Sequence, residues 1–157
     1  MRNLIYLRPK LYDLSQGTRI KFVRVFRHLT QDNVSDDLGI TGENKRRAMT
    51  RYEKGNRSPK KDRLLELANI INVNVNCIRE YDFTKTEDII YFLLWLEEIY
   101  PRMNIDFCIS KYFRDSRDNM LIKFKEEWEY MRNLRETREI SYEKYVEWKL
   151  NYEVKEG

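Results

Sequence analysis

Residues 17–40, GTRIKFVRVFRHLTQDNVSDDLGI, carry the punctuation that decides the fold of the amino-terminal half. Ile20, Val23 and Phe26 or Arg27 recur at helical spacing, and Phe22 adds a second apolar line, so one face of a first helix is buried. Thr30 stands where an N-cap belongs, its hydroxyl placed to accept from the N–H groups that open QDNVSDDL. Val34 and Leu38 fall four apart on one face of that second helix, and Gly39 supplies the left-handed residue that ends it. The order is helix, sharp turn, and then a further helix.

Working outward, ITGENKRRAMTRYEKG (40–55) turns Ala48, Met49 and Tyr52 inward, while Lys45, Arg46, Thr50 and Arg51 cannot all follow them. The outward face is therefore cationic. Gly55 closes this helix, Asn56 and Arg57 form a loop, and Ser58 before Pro59 reads as an N-cap with proline at the first helical position. Leu64, Leu67, Ala68 and Ile71 then make an apolar stripe on a fourth helix, and a fifth runs from Val75 to about Tyr81.

Thr84, three residues before Glu87, has the form of a capping box and opens a helix that carries the apolar run IIYFLLWL (89–96) as far as Pro101. Residues 105–113 and Met120 to Phe124 are short, aromatic and aliphatic, and separated by RDSRDN, which reads as a small hairpin. Leu121, Phe124, Trp128, Met131 and Leu134 also fit an amphipathic helix, and only one of the two readings can hold at Leu121 to Phe124. Ser141 caps a last helix, with Ile140 and Tyr145 placed as a hydrophobic staple. The fold class expected is mainly α: five helices, then a small α or α+β domain containing the hairpin.

With 157 residues the chain can bury two small cores at most. Apolar residues make up 41% and charged residues 36%, too apolar for a disordered chain and too charged for a membrane protein. The longest apolar run is well short of the roughly 20 residues that span a bilayer, and the start MRNLIYLRPK lacks the form of a secretory signal. Cys77 and Cys108 with the single His28 give no metal-ligand spacing and no disulfide framework, which fits reduced thiols in a cytoplasm. Cys77 reads as core, Cys108 as strand interior and His28 as a surface residue ending the first helix. No nucleophile or carboxylate dyad accompanies His28, so neither catalytic residue nor cofactor is expected. Charge is unevenly divided: residues 1–83 hold 17 Lys or Arg against 10 Asp or Glu, whereas residues 84–157 hold 13 against 16. The basic half is the one that attracts a polyanion such as nucleic acid.

The ordered residues Arg19-Ile20, Leu29-Thr30-Gln31, Leu38-Gly39-Ile40 and RYEKGNRSP (51–59) resemble the Xre and Cro-like, lambda-repressor-like helix-turn-helix regulators. The resemblance covers residues 17–83. It implies an amino-terminal extension (1–16), a helix-turn-helix DNA-binding domain (17–83) and a carboxy-terminal dimerisation or partner-binding domain (84–157). By the same resemblance the recognition helix is Asn44 to Glu53, and Asn44, Lys45, Arg46, Arg47, Thr50 and Arg51 reach base edges and phosphates of double-stranded DNA. An α-helix fits the major groove, and arginine suits guanine O6 and N7. Gln31 matches a DNA-contacting position of the family, Asn56 and Arg57 sit where the loop meets phosphate, and Arg19 pairs with Glu53 to join the first helix to the recognition helix. The 12 residues between Gly39 and Tyr52 exceed the commonest family spacing and enlarge the turn. That longer spacing, and the ending EISYEKYVEWKLNY (139–152), resemble regulators carried by mobile elements of Gram-positive bacteria.

The function expected is a sequence-specific transcriptional regulator, an autoregulatory repressor binding a pseudo-palindromic operator as a homodimer, because one short recognition helix reads few bases. The apolar breadth of 89–96 adds a reason for dimerisation, since a lone helix leaves part of it uncovered. The alternative is an interaction protein, an antitoxin or an inhibitor of a host defence system. Its residues 84–157 would bind another protein while the amino-terminal domain controls its own gene. Trp95, Trp128 and Trp148 read as core rather than as a cofactor box.

Overall fold

A computed structural model describes residues 9–104 and 119–155 of the chain. Its secondary structure is mainly helical, and the chain divides into two compact units, Met1–Glu80 and Tyr81–Gly157.

In the first unit α1 (Gln16–Phe26) starts at Ser15, whose hydroxyl accepts from the Thr18 N–H. Thr30 caps α2 (Gln31–Asp37) with both halves of a capping box, since Asn33 returns a bond to the Thr30 N–H. Gly39 and Gly42 turn the chain with φ of 75° and 77°, and a 3-10 turn, Gly42–Asn44, leads into α3 (Lys45–Glu53). That extra turn is where the longer spacing before Tyr52 is accommodated. Then come α4 (Lys61–Ile70) and the single turn α5 (Val75–Ile78). Ile20, Val23, Val34, Met49, Leu67, Ile71 and Ile78 are fully buried and form one core. The cap expected at Ser58 is displaced: α4 begins after Lys60, which makes no side-chain cap, and Pro59 lies outside the helix. Lys60 is extended (φ −68°, ψ 162°), which moves the helix start two residues on from Pro59.

Gly17 sets how α1 meets α3. A Cβ there would lie 2.3 Å from the Tyr52 carbonyl oxygen and 2.5 Å from that of Glu53, so the two backbones touch. Alanine gains about 1 kcal/mol of helix propensity, but no rotamer of a backbone carbonyl relieves a contact that short. Overpacking costs of about 1–3 kcal/mol or more win. Gly17→Ala is expected to lower the urea midpoint, and an unchanged midpoint would contradict the close approach.

In the second unit, α6 (Thr86–Ile99), α7 (Asn119–Glu136) and α8 (Tyr142–Leu150) surround an aromatic core. Phe124 stacks on Trp128 with centroids 5.0 Å apart, Tyr145 on Trp148 at 5.7 Å, and Tyr152 meets Phe124 edge-on at 5.5 Å. Trp95, Trp128 and Trp148 are thus packed among core aromatics or buried beside them. Ser141 caps α8 by accepting from the Lys144 N–H. Thr84 does not cap α6. Its N–H and hydroxyl donate to Asp82, and the loop is gathered instead by buried Asp88, which accepts from the N–H groups of Asp82 and Phe83.

The strand expected over Met120 to Phe124 is the beginning of α7, while its partner at 105–113, with Cys108, lies outside the described residues. Leu121, Phe124 and Trp128 are all buried, so the helical period outweighs the β propensity of the short apolar segment. Of the run 89–96, Ile90, Tyr91, Leu93, Leu94 and Trp95 are buried within the chain itself. Ile89, Phe92 and Leu96 are half-buried, so the chain itself covers most of the run. Among the described residues no helix is long and apolar enough to cross a membrane.

Candidate nucleic-acid interface

The outward face of α3 is presented by a polar network beneath it. Buried Arg24 donates from Nε to Glu53 Oε1 at 2.5 Å and from Nη2 to Oε2 at 3.2 Å, and its Nη1 reaches the Leu29 carbonyl at 2.8 Å. Gln31 donates to Glu53 Oε2 at 2.9 Å and accepts from the Thr50 hydroxyl at 3.2 Å. One carboxylate thereby ties the end of α1, the start of α2 and the last turns of α3.

The expected Arg19–Glu53 pair is corrected by this geometry. Arg19 donates to the carbonyls of Leu14, Cys77 and Arg79 at 3.1, 2.7 and 2.9 Å, binding α1 to the end of α5. Five residues along a helix rotate a side chain by about 140°, so Arg19 and Arg24 cannot serve the same neighbour. Arg24 faces α3 and takes the carboxylate.

The cations expected on α3 fall into two groups. Lys45 pairs with Asp36, and Arg46 with Asp32 at 3.0 Å, so two acids of α2 hold the first turn of α3. Ser35 adds a bond to the Lys45 carbonyl at 2.5 Å. Arg47, Arg51 and Arg57 are exposed and make no side-chain hydrogen bond or ion pair among the described residues. With Asn44, Lys60 and Arg63 they line a hollow of about 460 Å³ between α3, its following loop and the start of α4, and among the described residues no acid lines it. Arg63 also donates to the Leu38 carbonyl at 2.8 Å, which fixes α4 against the end of α2. Asn56 is exposed and uses its N–H to close α3 on the Arg51 carbonyl at 3.0 Å. Gln31 and Thr50 are half-buried and bonded to each other.

Neither a family model, nor a curated protein, nor a solved structure matches the chain. The candidate site stands on its own chemistry: the guanidinium groups of Arg47, Arg51 and Arg57 and the ammonium of Lys60 around a concavity, with Arg63 paired to Glu66 at 3.6 Å at its side, beside a helix whose other face is anchored. Lys60 and Arg63, part of the same hollow, are missed by sequence reasoning because their helix start is placed two residues too early. Asp32 and Asp36 are missed because charge summed over a segment hides which cations are already neutralised. His28 is exposed with φ of 59°, the left-handed residue that terminates α1. Among the described residues no group of three His, Cys, Asp or Glu is placed to hold a metal.

Proposed function

We propose that the chain is a sequence-specific double-stranded DNA-binding regulator of the helix-turn-helix type, a cytoplasmic, non-enzymatic repressor of its own gene acting as a homodimer on a pseudo-palindromic operator. The observation that carries the reading is the hollow where Arg47, Arg51, Arg57 and Lys60 converge with no acid among the described residues that line it. Such a surface suits a polyphosphate backbone, and the anchored α3 has the dimensions of a major-groove reader. The second unit supplies the other surface the proposal needs. Exposed Ile122 and Tyr130 on α7 face a protein partner, either a second copy or the target of an inhibitor.

Binding of full-length protein to duplexes selected from a random pool tests this reading. The log-log slope of affinity against salt is expected to be steeper than about −3, at about −0.9 per phosphate contact. Arg51→Ala should weaken binding to the selected duplex by about 1–3 kcal/mol with less effect on random duplex, because a base contact is lost. Arg47 is the next residue to test. Failure to enrich any sequence, with a slope near zero, would reject DNA binding.

A further inference from the structure

We infer that Arg46 reads a guanine in the major groove, and that Asp32 is the positioning residue that presents its guanidinium for that contact; the inference rests on the DNA-binding reading above. Arginine carries five N–H donors in a fixed planar fork. Asp32 accepts from one edge of that fork, Nε to Oδ1 at 3.4 Å and Nη2 to Oδ2 at 3.0 Å. The outer edge is left, two parallel N–H groups on Nη1 and Nη2. Guanine alone offers two acceptors, O6 and N7, side by side on its major-groove edge, and that edge matches the outer fork. Adenine would set its N6 donor against one of the two.

The remaining observations favour a base over a phosphate at this position. The Arg46 side chain is 73% exposed, so its outer edge is open to a ligand. The Arg46 hydrogen bond holds the Asp32 carboxyl below the usual carboxylate range, so a negative charge stands beside the guanidinium at neutral pH. That charge repels an anionic phosphate more strongly than it repels the edge of a neutral base. Arg57 and Lys60 have no carboxylate partner among the described residues and suit phosphate without an assigned edge. An exposed pair contributes little to folding stability. Its consequence is orientation: the rotamer freedom that a long side chain loses on binding is given up before the base arrives.

The test uses the full chain and the selected duplex, with each guanine replaced in turn by 7-deazaguanine, which removes the N7 acceptor. At one guanine per half-site the replacement should weaken wild-type binding about tenfold. Arg46→Lys keeps the charge and loses the fork, and Asp32→Asn keeps the shape and loses the anchoring charge. Each should bind the intact site about tenfold more weakly and lose its sensitivity at that guanine alone. Unchanged sensitivity at every guanine in both variants would overturn the inference. So would Asp32→Asn binding selected and random duplexes more tightly by the same factor, since Asp32 would then only compete for Arg46. Failure of the selection to enrich any sequence rejects the DNA-binding reading instead, and the two failures are distinguishable.

Discussion

Replacing Glu53 with alanine is expected to destabilise the amino-terminal unit by about 3–5 kcal/mol, the cost of stranding one member of a buried ion pair. Arg24 and Glu53 are each only 9% exposed, so the orphaned guanidinium has little water to turn to. The loss is large against a typical total of about 5–15 kcal/mol. Gln31 loses its bond to Glu53 at the same time, so the last turns of α3 should lose that tie to the start of α2. Cys77 provides the readout. Burial pushes its thiol up to about 12, with the charges of Arg19 and Arg79 pulling the other way, so the folded unit holds it unreactive. In a Cys108→Ser background, labelling of Cys77 by a thiol reagent at neutral pH should accelerate by about two to four orders of magnitude in the Glu53→Ala protein. An unchanged rate would mean that the pair contributes nothing to holding this unit closed.

The second large effect is expected at Lys149, whose ammonium lies between Glu97 at 2.5 Å and Glu98 at 2.9 Å, over the ring of Tyr145. Lys149 and Glu97 are each 5% exposed. Lys149→Met leaves two carboxylates facing each other, with Arg132 3.8 Å from the Glu97 Oε2 atom, and should cost about 3–5 kcal/mol. All three tryptophans belong to this unit, so their emission reports it alone. Its thermal midpoint should fall by about 12 °C or more, at about 4–8 °C per kcal/mol for a unit of this size. Adding Glu97→Gln should recover part of the loss, because removing both charges relieves what removing one creates. A midpoint unmoved by Lys149→Met would show that solvent reaches the cluster. The same cluster gives a pH dependence. Burial pushes the Tyr145 phenol up, reinforced by the charge of Glu97 and the bond donated to it at 2.6 Å. A raised value in the folded state means stability that is present below the ordinary tyrosine value of 10.0 and is lost as pH rises above it.

What the sequence revealed and what it hid follow a physical division. Thr30, Gly39 and Ser141 were legible because capping and left-handed turns are local: one side chain or one backbone angle within a few residues decides them. The stripe Leu64, Leu67, Ala68 and Ile71 was legible because burial follows helical period. Partner choice was not legible. Arg19 and Arg24 are both arginines on one helix, and only the placement of α3 and α5 decides which meets Glu53. Met120 to Phe124 was ambiguous because a five-residue apolar segment fits either period until Trp128 is known to be buried with it. Thr84 was misread because Asp82 accepts its hydroxyl hydrogen and thereby removes it from the helix start. At the interface, the cationic face of α3 was visible in the sequence, whereas the neutralisation of its first turn by α2 depends on tertiary geometry.

The turn between α2 and α3 has a stereochemical consequence. Gly39 and Gly42 both sit at positive φ, and a Cβ built on either would meet nothing within 4 Å among the described residues. Among the described residues crowding therefore disfavours no side chain there; handedness alone does. The two positions are mirror-image sites within an L-chain, where a D-residue would find both the backbone angle and the space it needs. The bend between α2 and α3 is thus set by chirality and not by packing, which leaves the surface beside the first turn of α3 free to change without disturbing the core beneath.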